Sequence, residues 1–234
     1  MSLPFITFLL ALGLAAVYLL VGAMDFLGGT PRSIWLSAAG GAAVAYIFLH
    51  LLPELAAAHA RKGVDSEIIY FVVALAGLVA FYGIERRVRR HTEGEGGEAP
   101  REIFWLHVGS FATYNLIIGY LLLNLDTDGL APLILYTGAL GLHFLSSAYG
   151  MRLDHRHSYD ATARWVLAAA VLLGWLTGWL VQVPRMWLDG LFAFLVGGVM
   201  LNVMKEELPY ERQSRFGAFV LGVAAYGSLL LAAT

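Results

Sequence analysis

Apolar runs of about 20 residues recur along this chain, and they constrain its fold more than any other feature. The first, "LPFITFLLALGLAAVYLLVGAM", has neither a basic leader nor a small-residue cleavage site, so it is interpreted as a retained helix and not as a signal peptide. Hydrophobic residues make up 59% of the chain and charged residues only 14%. A soluble domain of this size would carry more charge. The pattern predicts an all-α, polytopic membrane protein, with residues 1–234 forming one transmembrane domain.

Eight membrane spans can be placed on the sequence. They cover residues 5–27, 34–57, 67–85, 103–124, 130–151, 162–182, 186–206 and 214–233. The one long polar stretch, 86–102, is rich in Gly and Glu and is predicted to be a flexible loop between spans 3 and 4. The chain has no cysteine, which excludes disulfides and thiolate metal sites.

Basic residues are distributed very unevenly between the two sides of this topology. Twelve of the fifteen Lys and Arg residues fall in the loops after spans 1, 3, 5 and 7. The positive-inside rule places that side in the cytoplasm, so both termini are predicted to lie on the non-cytoplasmic side of a cytoplasmic-type membrane. The expected surroundings are a lipid bilayer, and nothing in the sequence indicates a nucleic-acid partner or a cofactor.

Spans 2 and 7 share a weak internal echo. "HLLPEL" at 50–55 ends span 2 and "EELPYE" at 206–211 ends span 7, with a double glycine at similar spacing before each. Because these spans run in opposite directions, the echo would be an inverted repeat that relates spans 1–3 to spans 6–8. Chance similarity between two Leu-rich helix ends explains it equally well.

Two pairs of ionisable residues lie at helix ends. His50 and Glu54 are four residues apart, on one face near the outer end of span 2. Glu206 and Glu207 end span 7 on the inner side, where the adjacent Lys205 offers a local counter-charge. Each pair either marks a solvated helix end or binds a divalent cation weakly, and the sequence leaves both interpretations open.

Spans 4 and 5 carry polar residues near mid-membrane. Asn115 lies on span 4, and His143 and Ser147 lie four residues apart on span 5. Such groups either join helices by hydrogen bonds or mark a substrate path. In either case Asn115 should face the interior, bonded to span 5 or to a trapped water, because an unpaired amide in lipid is costly. The polar segment 154–160 contains metal-ligand residue types in no defined spacing, so it is interpreted as a solvated loop.

The order of these motifs resembles the ZIP family of zinc and iron transporters. Span 3 ends in "FYGIERR", similar to the family's ending of that helix, and "HLLPEL" and "EELP" resemble family signatures in spans 2 and 7. The resemblance covers nearly the whole chain. It implies eight helices in a 3+2+3 inverted-repeat bundle, a homodimer, and motion of spans 1, 4, 5 and 6 against spans 2, 3, 7 and 8.

The resemblance also implies a metal site on spans 4 and 5, from which this chain departs. The family's His-Asn-x-x-Glu/Asp-Gly pattern matches Tyr114, Asn115, Ile118 and Gly119, and only the Asn and Gly are kept. In the span 5 pattern, His143 is kept, while Phe144 and Ser147 replace ligands. No carboxylate is left at these positions, and Tyr114 and Ser147 are only weak oxygen donors. No metal is therefore expected at this centre.

Three functional classes were weighed. The first is a transport-derived ZIP-like protein with an altered substrate or mechanism, in which glycines such as Gly109, Gly119 and Gly138 would permit helices to slide closely. The second is a non-transporting accessory, sensing or structural subunit on the same frame. The third, an intramembrane enzyme, would use Ser147 with His143, but no carboxylate is near to orient them, so enzymatic activity is not expected. The first class is preferred.

Overall fold

The protein is described from a computed structural model, which covers residues 2–27, 33–60, 68–92, 100–124, 129–207 and 215–233. These residues are α-helical almost throughout. The helices are α1, Leu3–Leu20; α2, Ile34–Tyr46 continued by a π-helical turn, Ile47–Leu51, and by Leu52–Ala60; α3, Ile69–Thr92; α4, Arg101–Asn124; α5, Leu130–Asp154; α6, Arg156–Ser158 continued by a π-helical turn, Tyr159–Ala163, and by Arg164–Leu180; α7, Arg185–Glu207; and α8, Phe216–Ala233.

The helices fit an integral membrane protein. Among the described residues, seven helices are long and apolar enough to span a bilayer, and the apolar part of α8, Phe216–Ala232, is shorter. The eighth span therefore stays a prediction. Most of the tryptophans lie exposed near helix ends, as in the aromatic belts of membrane proteins. These are Trp35, Trp105, Trp165, Trp179 and Trp187.

The polar connection between spans 3 and 4 is shorter than the sequence suggested. Helix α3 continues to Thr92, and α4 already begins at Arg101. An ion pair between Glu85 and Arg89, one turn apart, stabilises the extension of α3. Only residues 93–100 of the expected loop are left between the helices, and 93–99 lie outside the described residues.

The π-helical turn in α2 has an identifiable cause. Pro53 has no N–H to donate, and its ring crowds the carbonyl four residues earlier. The chain accommodates this by widening the preceding turn, so that the N–H of Leu52 donates to the carbonyl oxygen of Ile47, five residues back. The widened turn contains His50. Turns of this kind are frequent at functional sites.

Three helix pairs pack most extensively: α4 with α6, α2 with α8, and α3 with α7. Reciprocal glycines explain the close approach. A Cβ on Gly119 would meet the backbone oxygen of Val171, and a Cβ on Gly174 would meet that of Leu116. The same reciprocity joins α2 to α8 and α3 to α7. The glycines concerned are Gly41 with Gly222, and Gly77 with Gly197.

Two glycines of the sequence echo occupy equivalent places in two of these pairs. Gly41 of α2 lies against the backbone of α8, and Gly197 of α7 lies against the backbone of α3. They are separated by the same interval as Pro53 and Pro209, on which the echo was aligned. The inverted repeat itself stays a prediction.

The glycines that were expected to permit helix sliding have surroundings that differ from the prediction. A Cβ on Gly109 or Gly138 would meet nothing within 4 Å, because both positions face outward. Gly119 does approach another helix, but its partner α6 belongs to the same set of spans, 1, 4, 5 and 6. The close glycine contacts thus fix helices together within a set and do not line a sliding surface.

Candidate functional site

Asn115 lies in the centre of the helix bundle and is fully buried. Its Oδ1 accepts a hydrogen bond from the Tyr18 hydroxyl at 3.0 Å, and its Nδ2 donates to the carbonyl oxygen of Leu167 at 3.4 Å. The predicted burial and hydrogen bonding are confirmed. The predicted partner was wrong, because the amide joins α4 to α1 and α6, and not to α5. The tight glycine crossing of α4 and α6 brings the Leu167 carbonyl within reach.

The neighbouring Tyr114 points to α5 instead. Its hydroxyl shares a 3.2 Å hydrogen bond with Nε2 of His143. Both side chains are buried. The Tyr114 hydroxyl thus supplies a hydrogen-bond partner for the imidazole of His143. Asn115 and His143 are each satisfied by other protein groups.

The remaining positions of the expected metal centre are apolar or weakly polar. Ile118 and Phe144 are fully buried, and the Ser147 hydroxyl is buried without a hydrogen-bond partner. Within the described part of the chain, no three His, Asp or Glu side chains converge in a way that could hold a metal ion. An ion placed here would lack any compensating negative charge.

A second polar group, here called the outer group, consists of Tyr46, His50, Glu54 and Tyr136. The His50 ring stacks on the Tyr46 ring with centroids 5.2 Å apart, and Tyr136 of α5 meets the edge of Tyr46 at 5.9 Å. The hydroxyls of Tyr46 and Tyr136 are buried and have no hydrogen-bond partner. Glu54 is half-buried one turn beyond His50. Sequence reasoning missed both tyrosines, since aromatic residues are common throughout the spans.

At the end of α7, Lys205 forms an ion pair with another helix, which the sequence did not predict. Its Nζ donates to Oε2 of Glu85 on α3 at 2.8 Å. This pairing requires α3 and α7 to lie side by side, which a local pattern does not show. The side chains of Glu206 and Glu207 lie outside the described residues, so their role stays a prediction.

The carboxylate of Glu85 is the focus of a third polar group, here called the inner group: Glu85, His107, His155 and Lys205. Arg89 donates to the second oxygen of Glu85 at 3.1 Å. On α4, His107 places Nε2 3.9 Å from Glu85 and shares a 3.4 Å contact between its Nδ1 and Nε2 of His155. Both imidazoles are buried. Sequence reasoning missed this group, although Glu85 belongs to the "FYGIERR" motif that carried part of the resemblance.

Segment 154–160 was interpreted as a solvated loop; the loop was wrong, because the segment is largely helical, and two of its residues, His155 and Tyr159, are buried. The segment is helical apart from its single non-helical residue, His155, which is only 2% exposed. Arg152 donates two hydrogen bonds, of 2.8 and 3.0 Å, to the carboxylate of Asp160. The Tyr159 hydroxyl donates to the carbonyl oxygen of Tyr18. These contacts hold the start of α6 against α1 and α5. Only His157 and Arg156 face outward.

Two aromatic rings separate the inner group from the central hydrogen bonds. Phe81 of α3 meets the Tyr114 ring edge-on at 5.7 Å, and Phe111 lies between His107 and Tyr114 on α4, with ring centroids 5.2 and 6.4 Å from them. The inner group and the central hydrogen bonds are therefore neighbours through aromatic contacts.

No protein-family model matches the chain, and no curated protein matches it.

Proposed function

We propose that this protein is a transport-derived membrane protein built on a ZIP-like frame, in which two four-helix units move against each other. The bundle unit is α1, α4, α5 and α6, and the scaffold unit is α2, α3, α7 and α8. The observation that carries the proposal is the division of contacts: all reciprocal glycine crossings of the described residues fall within a unit. Backbones that interlock in this way move together, because packed interfaces resist continuous deformation.

The interface between the two units, here called the seam, differs from the glycine crossings. Its contacts are made by side chains, such as Tyr136 against Tyr46, Phe81 against Tyr114, and Glu85 near His107. Helix α5 lies along the seam and packs on both α1 and α2. Side-chain contacts between rings and hydrogen-bonding groups can exchange partners at little cost, which is what alternating access between two units needs.

The seam also carries buried hydroxyls that have no hydrogen-bond partner among the described residues. The hydroxyls of Tyr46 and Tyr136 lie in the outer group, and that of Ser147 lies deeper on α5. An unpaired buried hydroxyl costs about 1–3 kcal/mol, so it needs a reason to be kept. Along a substrate path these hydroxyls would exchange hydrogen bonds with a passing solute or with water.

The chemistry of the seam favours a weakly held substrate over a tightly coordinated divalent ion. Tyrosyl and seryl hydroxyls with neutral imidazoles replace the acidic ligands of the family pattern. His50 and Glu54 at the outer end would still attract a cation, which would then pass a neutral polar centre. The proposed substrate is accordingly a cation that keeps part of its hydration shell or exchanges ligands rapidly.

The test uses the natural absence of cysteine. Purified protein in liposomes should take up ions from a panel of monovalent and divalent cations faster than empty liposomes. Cysteines replacing Leu135 and Tyr226, which touch across the seam through the Tyr226 hydroxyl, should stop uptake when bridged by a short bifunctional thiol reagent.

The matched control bridges two positions within the bundle unit. The Trp175 indole donates to Thr7 at 3.0 Å, so Thr7→Cys with Trp175→Cys can be bridged at the same outer level without joining the units. Uptake should survive this bridge. Absence of uptake for every ion in the panel, or equal sensitivity to both bridges, would reject the proposal. The first result would favour the accessory or structural subunit, whose interior hydrogen bonds serve only stability.

A further inference from the structure

The inner group joins the two units at their predicted cytoplasmic ends. Glu85 and Lys205 belong to the scaffold unit, while His107 and His155 belong to the bundle unit. The path runs from Lys205 Nζ to Glu85 at 2.8 Å, from Glu85 to His107 Nε2 at 3.9 Å, and from His107 Nδ1 to His155 Nε2 at 3.4 Å. Three helices and His155, the residue that follows α5, thus contribute to one buried set of neighbouring ionisable side chains.

The charges around His107 determine whether protonation of its imidazole is favourable. The charged or titratable groups that face it are Glu85 of α3, Lys205 of α7 and His155 at the end of α5. The single carboxylate already accepts from Lys205 and from Arg89. A proton on His107 would therefore add a positive charge near Lys205, beside a carboxylate that already accepts from two cationic side chains.

Burial makes protonation of the imidazoles unfavourable while the seam is closed. His107 is 1% and His155 is 2% exposed, so an imidazolium here would lose its hydration. Separation of the bundle unit from the scaffold unit at this end would admit water and move the imidazolium away from Lys205. The charged state of the pair is consequently favoured by an open seam, and the neutral state by a closed one.

We propose that His107 and His155 form a proton-binding site whose occupation opens the cytoplasmic end of the seam. The ligand is a proton taken from the cytoplasmic side, and it adds to a ring-nitrogen lone pair of the imidazole pair without any bond being broken. The site rests on the two-unit arrangement of the proposed function, but not on the identity of a transported solute.

Distance measurements between spin labels in lipid nanodiscs test this site directly. Cysteines replacing Trp165 of α6 and Phe216 of α8 report on the two units, because both side chains are exposed near the inner ends of their helices. Between about pH 8 and about pH 5, the range in which histidine commonly titrates, the distance should lengthen. The control pair, Trp35→Cys with Phe216→Cys, lies within the scaffold unit and should not change.

Substitutions test whether the change in distance depends on the histidine pair. His107→Gln with His155→Gln should keep the high-pH distance throughout, whereas His157→Gln, an exposed neighbour in the same segment, should respond like the wild type. Lys205→Met should weaken the response, because the protonated pair then meets less repulsion in the closed state. Imidazole nitrogen NMR of the wild-type chain gives an independent reading, since the two resonances should titrate together with the distance.

An unchanged or shortened distance at low pH would overturn the proposal, as would a response that survives in the double histidine variant. An imidazole titration that does not coincide with the distance change would also overturn it. The outcomes separate the two proposals. Ion uptake without a pH-driven distance change rejects the proton site alone, and a pH-driven distance change without uptake of any ion rejects transport alone.

Discussion

Tyr114 and His143 share a 3.2 Å hydrogen bond across α4 and α5, at the place where the sequence resemblance implies a metal ion. Both side chains are buried, so the bond pairs the two helices in the interior. The Nε2 atom of His143 is engaged by the tyrosine hydroxyl and is therefore not free for a metal.

We expect that the wild-type chain binds no divalent metal at this crossing. The replacements Tyr114→His, Ile118→Glu, Phe144→Glu and Ser147→His should create a zinc site if α4 and α5 keep their present packing. Zinc at about a hundred times its dissociation constant should then raise the free energy of unfolding by about 2.7 kcal/mol. Thermal unfolding with and without zinc measures this.

The matched control carries Tyr114→Phe, Ile118→Leu, Phe144→Leu and Ser147→Ala at the same positions and should not respond to zinc. Tight zinc binding by the unchanged chain would contradict the expectation. A folded ligand variant that gains no stability from zinc would show that α4 and α5 do not present these positions to a common point.

The interior amide of Asn115 should contribute measurable stability. Asn115→Ala leaves the Tyr18 hydroxyl without its acceptor, so we expect a loss of about 0.6–2 kcal/mol, the range for a hydrogen bond between membrane helices. Asn115→Leu should cost more, because the site is fully buried and has no room for a branched side chain.

A double-mutant cycle with Tyr18→Phe tests the pairing itself. The two losses should not add, because each variant removes the same hydrogen bond. Thr113→Ala is the control, since Thr113 is exposed on the same helix and bonds to the backbone of its own turn. Additive losses would mean that the Tyr18 contact contributes nothing to stability.

Glycines at the helix crossings should tolerate substitution far less than exposed glycines. Gly197→Ala would drive its Cβ into the backbone oxygen of Ala74, and α3 and α7 would have to separate. We expect a loss of about 1–3 kcal/mol, typical of overpacking. Gly109→Ala, with open space around its Cβ, should be neutral or should stabilise the helix by about 0.5–1 kcal/mol. Thermal unfolding in detergent compares them, and equal effects would reject the crossing geometry.

Removal of one partner of the Glu85–Lys205 pair should destabilise the protein strongly, whereas replacement of both partners should destabilise it little. Glu85→Gln leaves the largely buried Lys205 without its carboxylate, and removal of one partner of a buried ion pair typically costs about 3–5 kcal/mol. Addition of Lys205→Met should recover most of that loss, because no uncompensated charge is then left inside. Unfolding measured at two salt concentrations checks this. A surface pair would respond to salt and would show only a small loss.

The predicted orientation can be tested with single cysteines in the connections. Gly96→Cys should react with a membrane-impermeant maleimide only from the cytoplasmic side, because the flanking arginines place this connection inside. Thr127→Cys should react only from outside. The matched pair is labelled in intact and in permeabilised cells, and labelling of both positions from one side would contradict the alternating topology.

Much of the fold was predictable from local pattern. The apolar runs gave the helix positions within a few residues, because the bilayer requires about 20 apolar residues per crossing. The double glycines ahead of the Leu-Pro pairs were noted only as part of a repeat, and the structure shows that Gly41 and Gly197 lie at helix crossings. The interior position of Asn115 followed from the cost of an unpaired amide in lipid.

The partners were decided only by the tertiary structure. Asn115 bonds to Tyr18 and Leu167, Tyr114 to His143, and Lys205 to Glu85, and in each case the two groups are far apart in sequence. Segment 154–160 was misinterpreted for the same reason, because its polar composition predicts water while its neighbours bury His155. Composition and periodicity express the preference of a residue for lipid, water or protein. Which polar group meets which depends on how closely the backbones approach, and that distance is set by the packing of whole helices.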